Sequence, residues 1–180
     1  MKKTVAVIGS RGAIGNAVVD TLLADESVEA VFKFSRAEIT EHDDKVKHIF
    51  IDIEDEESIK QATESLPEDT KFDLIFVATG ILHDEKNVFP EKSIKDISFD
   101  KLIKVLTINT IGPTLVGKYF IPYLRKDSKS TFAFLSARVG SISDNKLGGW
   151  YSYRASKTAL TQIISCLLYT SPSPRDFLLS

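Results

Sequence analysis

Residues 3–23 read KTVAVIGSRGAIGNAVVDTLL, and this stretch limits the possible folds more than any other in the chain. Val5 to Ile8 is a short apolar run, the pattern of a buried strand. Gly9, Gly12 and Gly15 follow, and an amphipathic pattern then continues to about Leu23. A strand, a glycine-rich turn and a helix N-terminus together make a pyrophosphate site. Glycine lets phosphate approach the backbone, and the free amides and helix dipole hold the negative charge. A tight turn in an unrelated α/β protein looks the same locally, so the assignment needs a second feature distant in sequence.

Tyr153 and Lys157, in WYSYRASK, supply it. Residues four apart on a helix share a face, which sets a phenol beside an ammonium group. A free phenol titrates near ~10 and is a poor acid or base at neutral pH. A neighbouring positive charge is expected to lower that value and make the phenol a usable proton donor and acceptor. Many solvated helix faces carry the same spacing. Joined to the glycine turn, it predicts a dinucleotide fold with an acid/base pair.

These residues resemble the short-chain dehydrogenase/reductase family from residue 1 to about Ser165, and SARVGSISDNKLGGWYSYRASK is most similar to C-factor-like and sniffer-like carbonyl reductases. Ala78-Thr79-Gly80, ending the apolar run Leu74 to Val77, resembles the family's N-A-G segment, with Val77 and Ala78 in place of the usual asparagines. Asp52, after the strand His48 to Ile51, resembles the aspartate that contacts adenine, with Ile53 beside it. Asn109 resembles the asparagine of the catalytic tetrad. The resemblance implies an α/β, Rossmann-like, doubly wound parallel sheet. It also implies a cofactor site built from Gly9, Ser10, Arg11, Gly12, Ile14, Gly15, Asp52, Ile53, Ala78, Thr79 and Gly80, with Tyr153 and Lys157 reaching the nicotinamide ribose. The family places a catalytic serine after the fifth strand, usually the second of two. Here the strand Thr131 to Leu135 leads into Ser136-Ala137, so the best-matching position is Ala137. Ser136 is expected to take the role if the turn bends suitably, although strand alternation turns it toward the opposite face. Ser141 is the alternative hydroxyl.

Asn109 also has an argument from the chain itself. The helical pattern from Lys101 to Lys126 contains Pro113, which has no N–H to offer the carbonyl of Asn109. A kink is expected there, and Pro122 predicts a second by the same route. In the family, the freed carbonyl anchors a relay water that links the lysine to solvent. Cofactor choice is read after the second strand, Ala30 to Phe34, which ends in Ser35-Arg36. An acidic residue there would favour a free ribose hydroxyl. A hydroxyl and a guanidinium, with Arg11 in the turn, instead suit a 2′-phosphate and predict NADP over NAD. The same pair argues against the extended relatives that epimerise or dehydrate nucleotide sugars, whose glycine spacing is closer to this one. A non-catalytic NADP-binding signalling protein is the remaining alternative.

With 180 residues, 43% hydrophobic and 27% charged, the chain suits one globular domain, and a net charge of −2 argues against a nucleic-acid surface. The run Glu54-Asp55-Glu56-Glu57 suits a helix start. Residues 81–100, with Pro90, are expected to form a loop and short helix rimming the site. No apolar run reaches the ~20 residues of a membrane span. His42, His48 and His83 lack ligand-like spacing, so no metal is expected. The family resemblance implies a cytoplasmic enzyme acting on a small carbonyl or alcohol. The long helices around Ile103 to Leu124 and Ser152 to Ile164 resemble the pair that forms the family's dimer interface, which implies a homodimer or homotetramer, and their apolar outer positions equally suit an intramolecular core. Cys166 to Asp176, CLLYTSPSPRD, resembles a translated transposase-type sequencing adapter. The native domain is therefore expected over 1–165, truncated after the fifth strand and its helix, with 166–180 a non-native tail. Such a polypeptide is expected to expose a sheet edge and to be poorly soluble or inactive.

Overall fold

The computed structural model describes residues 2–37, 43–84, 88–170 and 176–179. Strand β1 (Lys3–Ile8) enters the glycine turn, and helix α1 (Ala13–Ala24) carries the chain back to β2 (Val28–Ser35). There follow β3 (Val46–Phe50), α2 (Glu56–Glu64), β4 (Leu74–Val77), α3 (Phe99–Leu106), a π-helical turn (Thr107–Ile111) and α4 (Gly112–Phe120). The last elements are β5 (Thr131–Phe134), α5 (Tyr151–Thr170) and β6 (Asp176–Leu179). The sheet order is β3-β2-β1-β4-β5-β6, with every neighbour pair parallel. From β1 the chain steps outward twice and then crosses back to β4 on the other side. The carboxyl ends of β1 and β4 are thereby left side by side, and doubly wound sheets bind ligands in the crevice at such a reversal.

Both faces of β1 are covered, which explains its unbroken apolar run. Val5 and Val7 belong to a core with Val19, Val18, Leu22 and Leu23 of α1. Ala6 and Ile8 belong to the opposite core, with Ile59 and Ala62 of α2, Val116 and Phe120 of α4, and Leu160 and Ile164 of α5. Alternate residues point to alternate faces, so one strand feeds two helix layers. Phe120 meets Phe34 edge-on, with ring centroids 5.1 Å apart, and this contact ties α4 to the sheet.

The acidic run divides its work. Asp55 caps α2, its side chain accepting from the Glu57 amide at 3.0 Å, while Glu56 and Glu57 occupy the first turn. Both prolines coincide with departures from α geometry. Pro113 follows the π turn, and Pro122 sits in the 3-10 turn Ile121–Tyr123. The polar stretch before α3 contains the short 3-10 turn Ile94–Asp96.

The parallel doubly wound sheet expected from the sequence is present, with an addition at its C-terminal end: helix α5 continues past Ser165 to Thr170, and Asp176–Leu179 lies parallel to β5 as a terminal sixth strand. Extending an established helix costs little compared with starting one. An unpaired parallel edge is a ready template for any extended segment. No described helix is long and apolar enough to cross a membrane. His42 lies outside the described residues.

Candidate active site

The turn after β1 is built by contact of the backbone with itself. Gly9 has φ +81°, and a Cβ placed there would stand 2.8 Å from Thr79 Cγ2. A Cβ on Gly15 would lie only 2.2 Å from the Gly9 carbonyl oxygen. Neither position admits a side chain. Gly12 has φ −67° and more room, its Cβ position being 3.4 Å from the same oxygen. The Gly9 and Ser10 amides donate to the Phe34 carbonyl at 3.0 and 3.3 Å, which fastens the turn to the end of β2. Ser10 is fully buried, and its hydroxyl donates to that carbonyl as well.

A cleft of about 470 Å³ opens above this turn. Of the sequence-assigned residues, Gly9, Arg11, Gly12, Ser35, Arg36, Ile53, Ala78, Thr79 and Gly80 line it. Ser10, Gly15, Ile14 and Asp52 do not: Ile14 is half exposed on the first turn of α1, and Asp52 Oδ1 accepts from the Glu54 amide at 3.0 Å. Glu54, which sequence reasoning assigned to a helix start, lines the cleft instead. Its carboxylate lies 3.8 Å from Arg36 Nη1 and accepts from Lys104 Nζ at 2.6 Å. Ser35 is buried, its hydroxyl donating to the Ala37 carbonyl at 3.2 Å and lying 2.9 Å from His48 Nε2. His48 is thus a support of the cleft wall that its isolated position in the sequence did not announce. Thr79 Oγ1 is buried without a hydrogen-bond partner. An orphaned hydroxyl at a cleft wall is what a polar ligand satisfies.

At the inner end of the cleft three elements converge. A Cβ on Gly80, just past β4, would stand 3.3 Å from Lys157 Nζ and 3.4 Å from Asn109 Oδ1. Asn109 is fully buried in the π turn. Its Oδ1 accepts from the Ile81 amide at 2.7 Å, and its Nδ2 donates to the Ile81 carbonyl at 2.9 Å and to Ser156 Oγ at 3.0 Å. Ser156 in turn donates to the Tyr153 carbonyl at 2.8 Å. The kink expected at Pro113 therefore takes the form of one inserted residue, with the Gly112 amide reaching back to Thr107.

Tyr153 and Lys157 share one face of α5, with Nζ 5.9 Å from the phenol ring centroid. Lys157 is 2% exposed and donates to the Leu135 carbonyl at 2.9 Å. Burial lowers the Lys157 amine to about 8. Tyr153 moves opposite to the sequence expectation: burial raises its phenol above the usual value. Desolvation disfavours both charged forms, and an amine that is itself giving up its proton exerts little pull on the phenol. Ser136 turns toward the middle of α5, its hydroxyl 3.4 Å from Thr161 Oγ1, roughly 12 Å along the helix axis from Tyr153. Ser141 is exposed, its hydroxyl 3.1 Å from that of Ser143. The structure thus gathers Asn109, Tyr153 and Lys157 and leaves both serines on other partners.

A family model described as short chain dehydrogenase matches residues 3–170. The chain is 28% identical over 162 residues to 1-hydroxy-2-glutathionyl-2-methyl-3-butene dehydrogenase of Rhodococcus sp. (strain AD45), the match covering 89% of this chain and 67% of that enzyme. It is 33% identical over 72 residues to C-signal of Myxococcus xanthus, covering 40% of this chain and 43% of that protein. The chain thus spans two thirds or less of the length of these curated relatives. The crystal structure of NADPH-bound carbonyl reductase from chicken fatty liver superposes with a TM-score of 0.76 at 27% identity, covering 92% of this chain and 72% of that one. The reversal at β1, the glycine crossing and the match from β1 to the end of α5 agree, and the chain belongs to the short-chain dehydrogenase family of oxidoreductases.

Proposed function

We propose that the protein transfers hydride between NADP(H) and a small carbonyl or alcohol, with Tyr153 as general acid and base. The observation that carries this reading is the meeting of Gly80, Asn109 and Lys157, on the Tyr153 face of α5, at the inner end of the glycine-turn cleft. The residues present fit the cofactor: Thr79 offers an unpartnered hydroxyl, and the crossing at Gly9 and Gly15 keeps side chains away from the amides of the turn. The turn and the N-terminus of α1 would hold the pyrophosphate. Arg11, Ser35 and Arg36 would hold the 2′-phosphate, Asp52 and Ile53 the adenine side, and Ala78 to Gly80 the middle of the dinucleotide, with Lys157 and Tyr153 on the nicotinamide ribose. When bound, NADP(H) supplies or accepts the hydride.

The chain handles the proton. Burial keeps Tyr153 protonated, so in reduction it donates to the oxygen of the carbonyl, and in oxidation it takes the proton back. Lys157, at about 8, sits close enough to neutral pH to hand a proton to the phenolate and to stabilise it while charged. Asn109 fixes the Ile81 backbone and the first turns of α5 together, and its carbonyl, deprived of an α-helical donor by Pro113, would anchor a relay water. Ser136, held against Thr161 and away from Tyr153, would reach the carbonyl only if the segment after β5 were rebuilt. The NADPH-bound relative and the two arginines in the cleft support NADP over NAD. Exposed Phe99, Ile103 and Ile111, on α3 and the π turn, support self-association of the intact protein.

Replacing Tyr153 by Phe in the full-length protein tests the reading. Turnover with a panel of aldehydes and ketones is expected to fall by about 10²-fold or more, with NADPH binding preserved. Unchanged turnover would remove Tyr153 from the chemistry.

A further inference from the structure

Glu91 is a buried carboxyl outside the residues assigned above. It is 1% exposed, and no lysine, arginine or histidine is paired with it among the described residues. Its carboxylate faces the beginning of α5, where Oε1 accepts from Ser152 Oγ and Oε2 accepts from the Ser152 amide at 3.4 Å. Its backbone carbonyl accepts from the Trp150 amide at 2.6 Å. A Cβ on Gly149 would stand 3.1 Å from that carbonyl oxygen, so the two segments are packed tightly. One residue, sixty-one positions away, thus holds both the entry to α5 and its first turn.

The entry needs holding. Gly148, Gly149 and Trp150 have φ of 66°, 65° and 52°, three successive residues in the left-handed region. Glycine adopts it freely, but for a tryptophan the conformation is unfavourable and persists only where the surroundings impose it. The residue before the helix is Trp150, which has no side-chain oxygen to cap the free amides of the first turn. Glu91 replaces the missing cap, and a negative charge is favourable at that end of a helix. Tyr153 is the third residue of α5, and the Trp150 ring meets its ring edge-on, with centroids 6.4 Å apart.

We propose that Glu91 is a positioning residue for the Tyr153 phenol: a buried carboxylate that clamps Trp150 and Ser152 and so sets where the hydroxyl stands. This rests on Tyr153 being the proton donor. Loss of the clamp frays the turn that carries the phenol, while the NADP(H) cleft, built on β1, β2 and β4, is left intact.

Glu91→Leu, which fills similar volume but accepts no hydrogen bond, and Glu91→Gln, which keeps an acceptor, make the test, alongside Tyr153→Phe. Thermal unfolding by circular dichroism reports whether each variant folds. The expected result for Glu91→Leu is a fall in kcat of about tenfold to a hundredfold, as for a small misplacement of a catalytic group, with the NADPH dissociation constant unchanged. Glu91→Gln should recover most of the loss. Trp150 is the only tryptophan in the chain, so acrylamide quenching of its fluorescence reads the clamp without turnover. Quenching should rise in Glu91→Leu and stay near the parent value in Glu91→Gln. A folded Glu91→Leu variant with parental kcat and parental quenching overturns the proposal, as does a Gln variant as impaired as the Leu variant. If Glu91→Leu does not fold, Ser152→Ala decides, with lower kcat and greater quenching expected and no change in either refuting. Full activity in Tyr153→Phe would sink the Tyr153 assignment, while the quenching data would still decide the clamp.

Discussion

Lys157 is predicted to lower the stability of the fold it serves, and replacing it by Met should show this. Burial takes the amine from 10.5 to about 8 in the folded chain. Between those values the unfolded chain binds more protons than the folded one, so stability rises with pH across that window. Below about pH 8 the full cost applies, about 3 kcal/mol at about 1.4 kcal/mol per pH unit. Above 10.5 it is gone. Met removes the charge but leaves the Leu135 carbonyl without its donor, a loss of about 1–2 kcal/mol that does not depend on pH. The variant should therefore be more stable than the parent by about 1–2 kcal/mol at pH 7 and less stable by a similar amount at pH 10.5. Urea unfolding of both proteins without cofactor, at intervals from pH 6.5 to 10.5, measures the difference and cancels the titration of every other group. A difference that stays flat across that range would show that Lys157 is not charged and desolvated in the folded chain, and the argument would fail.

Gly15→Ala should cost about 1–3 kcal/mol, because its Cβ overlaps the Gly9 carbonyl, and should abolish NADPH binding. Gly12→Ala, with ordinary φ and more room, should be far milder in both thermal melts and NADPH fluorescence titration. Equal damage from the two would contradict the crossing described for this turn. Arg36→Ser should weaken NADPH binding about tenfold or more and leave NADH binding unchanged, as expected for a lost hydrogen bond to a charged group. Glu54→Gln should move NADPH affinity the other way by releasing Arg36, and titration with the two cofactors separates these outcomes.

The parts legible in the sequence were those fixed by local rules. Gly9 and Gly15 announced a turn that only glycine can make, and Val5 to Ile8 announced a strand covered on both faces. Pro113 announced a break in the helix but not its form, since a π turn depends on what the displaced side chain finds. Asn109 finds Ile81, twenty-eight positions earlier. The direction of the Tyr153 shift was read from its neighbour Lys157, whereas burial decides it, and burial follows from the packing of α5 on distant elements. Glu54 looked like one more acid in a helix start. Asp55, Glu56 and Glu57 fill that role, and the crossover after β3 turns Glu54 to Arg36 and Lys104. Ser136 follows strand alternation away from Tyr153, as its position after β5 implied.

The π turn at Thr107–Ile111 is in effect an α-helix with one residue too many. Deleting any one of those five would let the ladder close at its ordinary spacing and merge the flanking helices into a smoother rod. The flanking helices would keep their faces, since the wide turn is what absorbs the extra residue, but the residues inside it would be re-aimed and the buried amide drawn off the Ile81 and Ser156 groups it ties. A chain one residue shorter here should therefore be sturdier and idle.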